Sequence, residues 1–275
     1  MVLCGRFNAA NVFAMSSAVL ELLTIKLQQM TIESTNDNTP TTPAITYSEC
    51  YAQPFIRLIN GDCLEVMKDI PANSIDAIIT DPPYGVSYQS NMRKNKFGLM
   101  ANDDITDAAW LAFGARTLKE GGMIYCFSRW DVLGQWKNLI QFFGLEVRSC
   151  IVWDKGRGGM GDLVGSYAPS YEMIIVAARG RNSLKNGRGR DVIQVAPHRS
   201  NMLHPAQKPV ELLEQLIKDS TNEGDTVLDC FMGSGSTMEA CVNTGRKGIG
   251  IELSKDYYHI SKKRIESHTV QSQLF

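Results

Sequence analysis

Three short segments combine residue types that can do chemistry. The first is Asp81-Pro82-Pro83-Tyr84. Its two prolines stiffen the backbone and remove two N–H donors, which leaves carbonyl acceptors beside a carboxylate. Such a cluster suits a substrate amino group, which brings two N–H donors of its own. Tyr84 adds a flat face on which a nucleobase can stack. Taken alone, the same four residues also read as a rigid turn that closes a strand.

The second segment runs from Asp229 through Cys230, Phe231, Met232, Gly233, Ser234 and Gly235. An apolar run ends in an acid, and a glycine-rich turn then opens a helix, where a ligand can approach the backbone closely. The Gly-x-Gly pattern lacks a third glycine at the dinucleotide spacing, which disfavours a dinucleotide site. Glu252 ends the next apolar run, where a carboxylate can accept hydrogen bonds from ribose hydroxyls. The third segment is His204-Pro205-Ala206-Gln207-Lys208-Pro209, which on its own is also a plain loop-to-helix entry.

These segments need a scaffold, and the chain supplies one. With 275 residues, 44% of them hydrophobic, it can bury one large α/β core. A net charge of -1 excludes a polycation, so a field that attracts nucleic acid must be local. Seven cysteines form no Cys-x-x-Cys pair and no spacing with histidine that suits zinc, which predicts free thiols in a reducing compartment. No apolar run is long enough for a membrane span. Strand patterns at 55–60, 74–80, 123–127, 145–153, 171–178, 226–230 and 247–253 alternate with helix patterns at 63–69, 106–118, 131–143, 210–220, 235–244 and 255–267. Gly121-Gly122 is expected to end the second helix. The predicted class is α/β, Rossmann-like, a mostly parallel sheet with helices on both faces. Residues 51–270 form that domain. Residues 1–50 read as an apolar N-terminal helix and a polar tether; the helix is a loose appendage, a signal peptide, or a stretch upstream of a true start at Met30. Ligands of such sheets bind beyond the carboxyl ends of the strands, where Asp81–Tyr84 and the glycine turn both fall.

Together the three segments resemble those of the amino-group DNA methyltransferases, which act on adenine N6 or cytosine N4. The catalytic tetrapeptide precedes the glycine motif, an order similar to the permuted β class of that family. The resemblance covers roughly residues 55–267 and implies a Rossmann-like domain that uses S-adenosylmethionine. It implies that Asp81, helped by the Pro82 carbonyl and the rigid Pro83, accepts the target amino group while Tyr84 stacks on the base. It implies that Asp229, Phe231, Gly233 and Gly235 line the cofactor, with Glu252 on its ribose and Asp62 near its adenine. His204 and Lys208 would close over the methionine part. The implied partner is double-stranded DNA in the cytoplasm, and the class often forms homodimers. Asp at the first position of the tetrapeptide favours adenine over cytosine, whose enzymes usually carry Ser there. RNA or glutamine methylation is the second enzymatic alternative, but those relatives have Asn before Pro-Pro-Tyr and place it after the glycine motif. A DNA-binding relative without catalysis is the remaining alternative, opposed by the intact Asp81, Tyr84, Gly233 and Gly235.

Two basic stretches are candidates for phosphate contacts. One spans 179–201, with Arg179, Arg181, Lys185, Arg188, Arg190 and Arg199; the other holds Arg93, Lys94 and Lys96 beside the tetrapeptide. Lys262, Lys263 and Arg264 in the last helix read as a solvated face.

Overall fold

One twisted sheet organises the computed structural model, which describes residues 48–83, 108–159, 164–165, 167–197 and 207–272. The elements in chain order are β1 (Glu49–Ala52), β2 (Ile56–Asn60), α1 (Cys63–Val66) with a 3₁₀ turn at Met67–Asp69, β3 (Ile75–Thr80), α2 (Trp110–Thr117), β4 (Leu118–Ser128), α3 (Leu133–Phe142), β5 (Glu146–Asp154), β6 (Tyr171–Ala178), β7 (Val192–Gln194), α4 (Val210–Ser220), β8 (Thr226–Asp229), α5 (Ser236–Asn243), β9 (Lys247–Glu252) and α6 (Lys255–Ser272).

The strands lie side by side in the order β1-β2-β9-β8-β3-β4-β6-β5-β7. The run from β2 to β4 is parallel. Strand β6 is antiparallel to both of its neighbours, β4 and β5. Central strands are apolar on both faces because helices cover both, so successive residues serve opposite cores. Ile78 and Ile124 pack with Trp110, Leu111 and Trp136 on one side. Ile79 and Tyr125 pack with Leu213, Leu216 and Met238 on the other. From β3 the chain moves across the sheet to β4, and from β8 it moves the opposite way to β9. The β3–β8 boundary is therefore the switch point at which an open α/β sheet leaves a crevice.

Three local expectations are corrected. Gly121-Gly122 does not end a helix: α2 stops at Thr117, and the two glycines lie inside β4. They form an irregularity where the β3–β4 register shifts between Ile75 and Ala77. Gly121 has φ +78°, and a Cβ on Gly122 would lie 3.0 Å from the Asp76 carbonyl oxygen. The tether expected up to residue 50 yields to β1, whose Glu49 and Cys50 pair with Asn60 and Ile59. The 179–201 stretch contains a strand, β7, parallel to β5. The expected N-terminal helix lies outside the described residues, as does the 85–104 loop with Arg93, Lys94 and Lys96. Among the described residues no helix is long and apolar enough to cross a membrane.

Candidate active site

The switch point brings together two motifs about 150 residues apart in sequence. Strands β3 and β8 pair through Ala77 with Val227 and Ile78 with Leu228, so Asp81 and Asp229 emerge at neighbouring strand ends. A hydrogen bond ties the ends directly: Thr80 Oγ1 donates to Asp229 Oδ1 over 2.9 Å. The same oxygen accepts the Phe231 N–H at 3.1 Å, and Asp229 Oδ2 accepts Thr237 Oγ1 at 2.6 Å. Asp229 thus clamps the glycine turn to the catalytic strand. Burial pushes its carboxyl up to about 6, against the lowering effect of its three donors.

The turn itself is shaped by two left-handed glycines, Gly233 at φ +53° and Gly235 at φ +79°. A Cβ on Gly235 would sit 2.8 Å from Ser261 Cβ, so only glycine allows α5 to start this close to α6. Arg264, which the sequence reading put on a solvated face, is instead a brace for this turn. Its Nη1 donates to the Ser234 carbonyl at 2.9 Å, Ser234 Oγ at 3.2 Å and Ser236 Oγ at 2.9 Å. Its Nε also pairs with Glu239 at 2.5 Å. Phe231 packs edge-on against buried Trp110, with ring centroids 5.9 Å apart.

Glu252, at the end of β9, stands across the turn. Gly233 N–H donates to its Oε2 at 2.9 Å and Ser254 N–H to its Oε1 at 2.8 Å. Burial pushes its carboxyl above the ordinary range. Each carboxylate oxygen has two lone-pair directions, so this double backbone anchoring fixes Glu252 while keeping capacity for further donors. Asp62, beyond the adjacent β2, caps α1 by accepting the Leu64 N–H at 2.8 Å. Asn60 pairs with Glu252 in the register between these strands, which puts Asp62 at the same rim.

The acidic corner holds more charge than the sequence reading contained. Lys208 Nζ lies 2.5 Å from Asp81 Oδ2 and 2.9 Å from Glu172 Oε2. Glu172 Oε1 in turn accepts Lys155 Nζ at 2.7 Å. Burial pushes the Lys208 ammonium toward its neutral form, but Asp81 and Glu172 outweigh it and raise the group above the ordinary lysine range. Burial likewise raises Glu172, yet the Lys208 and Lys155 charges outweigh it and hold the carboxyl below the ordinary range. Lys208 also lies 4.9 Å above the centre of the Phe127 ring. Pro209 is the N-cap of α4 at φ −62°, ψ 132°, and a residue before proline is kept extended, which aims Lys208 into the corner rather than along the helix.

Of the expected site residues, the structure gathers Asp62, Asp81, Pro82, Pro83, Lys208, Asp229, Phe231, Gly233, Gly235 and Glu252 along one rim. Tyr84 and His204 lie outside the described residues. The first part of the basic stretch is elsewhere. Strand β6 pairs Met173 with Ser128 and Ala178 with Met123, so it runs away from the rim and leaves Arg179 at the opposite end of the sheet, where Lys185 N–H still bonds the Asp219 carbonyl at the end of α4; β7, parallel to β5, then returns the chain toward the rim. At the far end Arg179 donates to the Leu118 carbonyl at 2.6 Å and to Asn73 Oδ1 at 2.6 Å. It ties together the segments leading into β3 and β4, away from Asp81. Glu172, Lys155 and Arg264 were missed. The one available signal for Glu172 was a lone charge in an otherwise apolar strand, Tyr171–Ala178.

A mostly parallel sheet with helices on both faces, an acidic Pro-Pro corner and a glycine turn at its switch point define a Rossmann-like methyltransferase fold. Comparison with known proteins agrees. The sequence model of the DNA methylase family matches residues 75–263. Type II methyltransferase M.HpaI of Haemophilus parainfluenzae is 33% identical over 241 residues, covering 77% of this chain and 74% of that protein. DNA adenine methyltransferase YhdJ of Escherichia coli K12 is 29% identical over 267 residues, covering 79% of this chain and 85% of that protein. The crystal structure of an M1.HpyAVI–SAM complex superimposes with a TM-score of 0.62 at 27% identity, covering 76% of this chain and 98% of that one. The chain belongs to the N6/N4 DNA methylase family.

Proposed function

We propose that the protein transfers a methyl group from S-adenosylmethionine to the N6 amino group of adenine in double-stranded DNA. The observation that carries this reading is the Asp81 carboxylate, paired with Lys208 at the end of β3 and tied through Thr80 and Asp229 to the glycine turn. Adenine is supported by Asp, rather than Ser, at position 81, and by the name of the relative YhdJ.

The glycine turn fits the cofactor. Gly233 and Gly235 remove side chains where a ligand approaches, Glu252 offers remaining acceptor capacity to ribose hydroxyls, and Asp62 borders the adenine end. Asp229 acts by clamping this turn, and Phe231 by walling it. When bound, S-adenosylmethionine supplies a methyl carbon on a sulfonium, an electrophile that needs no metal to activate it.

The protein's task is the acceptor. An amino nitrogen conjugated to a purine ring is a poor nucleophile. Asp81 and the Pro82 carbonyl accept its two N–H bonds and favour a pyramidal nitrogen with an available lone pair, and the Asp81 carboxylate receives the proton the nitrogen sheds once methylated. The base cannot present that nitrogen from within a duplex, so it is flipped out, and Tyr84 stacks on it. The rim offers a face for the DNA. Trp130 is 71% exposed just beyond β4, beside Arg129, and exposed Arg157 follows β5. Aromatic and cationic groups in this arrangement suit unstacked bases and phosphates. The reaction takes place where chromosomal or phage DNA lies, in the bacterial cytoplasm.

The test is expression in a host that lacks DNA methylation, followed by digestion of the DNA to nucleosides. N6-methyladenine is the expected product. N4-methylcytosine would move the assignment to the other branch of the family, and unmodified DNA would refute it.

A further inference from the structure

The buried charges beside Asp81 form an alternating row: Asp81, Lys208, Glu172 and Lys155, with contacts of 2.5, 2.9 and 2.7 Å. Their side chains are 16%, 10%, 25% and 23% exposed, so water screens them weakly. The row is neutral as a whole, which makes burial of a cation next to a reaction involving a sulfonium tolerable. Its geometry is also directional. Lys208 donates a hydrogen bond to Asp81 Oδ2, whereas Glu172 Oε2 lies within ion-pair distance of the ammonium without an aligned hydrogen bond. Glu172 holds the charge in place, and Lys208 spends its directed contact on Asp81.

We propose that Lys208 is a positioning residue for methyl transfer: held by Glu172, its ammonium fixes the Asp81 carboxylate in the orientation and ionised form that accept the substrate amino group. This rests on Asp81 being the amino-group acceptor. Among the described residues, the charged and titratable groups facing Asp81 from the packed elements include Lys208 ahead of α4, Glu172 on β6, Asp229 on β8 and Cys126 on β4. Of these, Lys208 supplies the positive charge; Asp229 and Glu172, when ionised, oppose a second buried anion. Removing the ammonium therefore drives Asp81 toward its protonated form, which donates rather than accepts. Glu172 loses one partner as well but keeps its contact with Lys155, whereas Asp81 loses the ammonium that pairs with it.

The experiment compares Lys208→Met, Glu172→Gln and Asp81→Ala by steady-state kinetics across pH, with S-adenosylmethionine binding measured by calorimetry. Lys208→Met is expected to lower kcat about 10- to 100-fold and to move its acid limb upward by about one pH unit or more, while cofactor Kd stays within about threefold. Glu172→Gln is expected to lower kcat less, and the double variant to be no worse than Lys208→Met, because Glu172 acts through Lys208. An unchanged pH profile in Lys208→Met overturns the proposal. So does a weakened cofactor Kd with normal kcat, which would make Lys208 a cofactor contact. If Lys208→Met does not fold, Glu172→Gln decides: wild-type kcat overturns the proposal. Asp81→Ala separates the two levels of the argument, since activity surviving in that variant refutes the amino-acceptor role itself.

Discussion

Gly235→Ala probes whether the glycine turn is held in shape by close helix packing. Gly235 has φ +79°, a conformation that costs an L-residue about 1–2 kcal/mol. The new Cβ would also lie 2.8 Å from Ser261 Cβ and 3.2 Å from Ser261 Cα, part of the α6 backbone. Relieving that overlap requires a shift of α5 against α6, and overpacking of this kind costs about 1–3 kcal/mol. The sum is a destabilisation of about 2–5 kcal/mol. Gly144→Ala is the internal control, because Gly144 has φ +84° but nothing within 4 Å of an added Cβ. Its cost should be confined to the conformational part. Urea unfolding at equal m-values gives both numbers. A second check is Ser261→Gly, which removes one clashing atom, so the Gly235→Ala penalty should shrink in that background. If Gly235→Ala cost no more than Gly144→Ala, the close approach of α5 and α6 would not be what requires glycine there.

Three further outcomes follow from the site. Asp229 has a carboxyl pushed up to about 6 from an ordinary 3.8, so the folded state binds its proton more tightly than the unfolded state, and this group's contribution to stability grows as pH falls through that window and is lost as pH rises. Relative to Asp229→Asn, the wild-type protein should therefore gain about 1–1.5 kcal/mol between about pH 7.5 and about pH 5 in denaturant titrations, and a flat difference would contradict the assigned burial. Arg264→Met removes three hydrogen-bond contacts from the turn and should raise the S-adenosylmethionine Kd about tenfold; Arg264→Lys should not restore it, because a lysine cannot span Ser234, Ser236 and Glu239 together. Trp130→Ala should weaken duplex DNA binding about tenfold in a fluorescence titration while cofactor affinity is unchanged, and equal DNA affinity would remove this residue from the DNA face.

The strands that carry chemistry were legible because both motifs end buried apolar runs, and their boundaries follow from composition: α4 (Val210–Ser220) and β6 (Tyr171–Ala178) match the expected spans. Strand direction was not legible. Periodicity is the same for parallel and antiparallel strands, and the reversal of β6 has two consequences. It delivers Glu172 to the rim beside Lys208, and it carries Arg179 to the far end, from which β7 returns. Counting charges finds the basic stretch but not which end of the sheet each of its residues reaches. Arg264 failed for a related reason. In α6 it follows Lys262 and Lys263, and only the three-dimensional approach of Gly235 to Ser261 shows that this helix face covers the turn. Gly121-Gly122 looked like a helix stop because glycines usually are one; here they absorb a register shift between β3 and β4.

The central claim is that Asp81 receives the amino group of a DNA base. Transfer of a labelled methyl group from S-adenosylmethionine to unmethylated duplex DNA, measured for the wild-type protein and Asp81→Ala with cofactor binding followed in parallel, tests it most directly. The wild type should place label on adenine, and Asp81→Ala should lose at least about a hundredfold in transfer with cofactor affinity retained. Near-normal transfer by Asp81→Ala would contradict it.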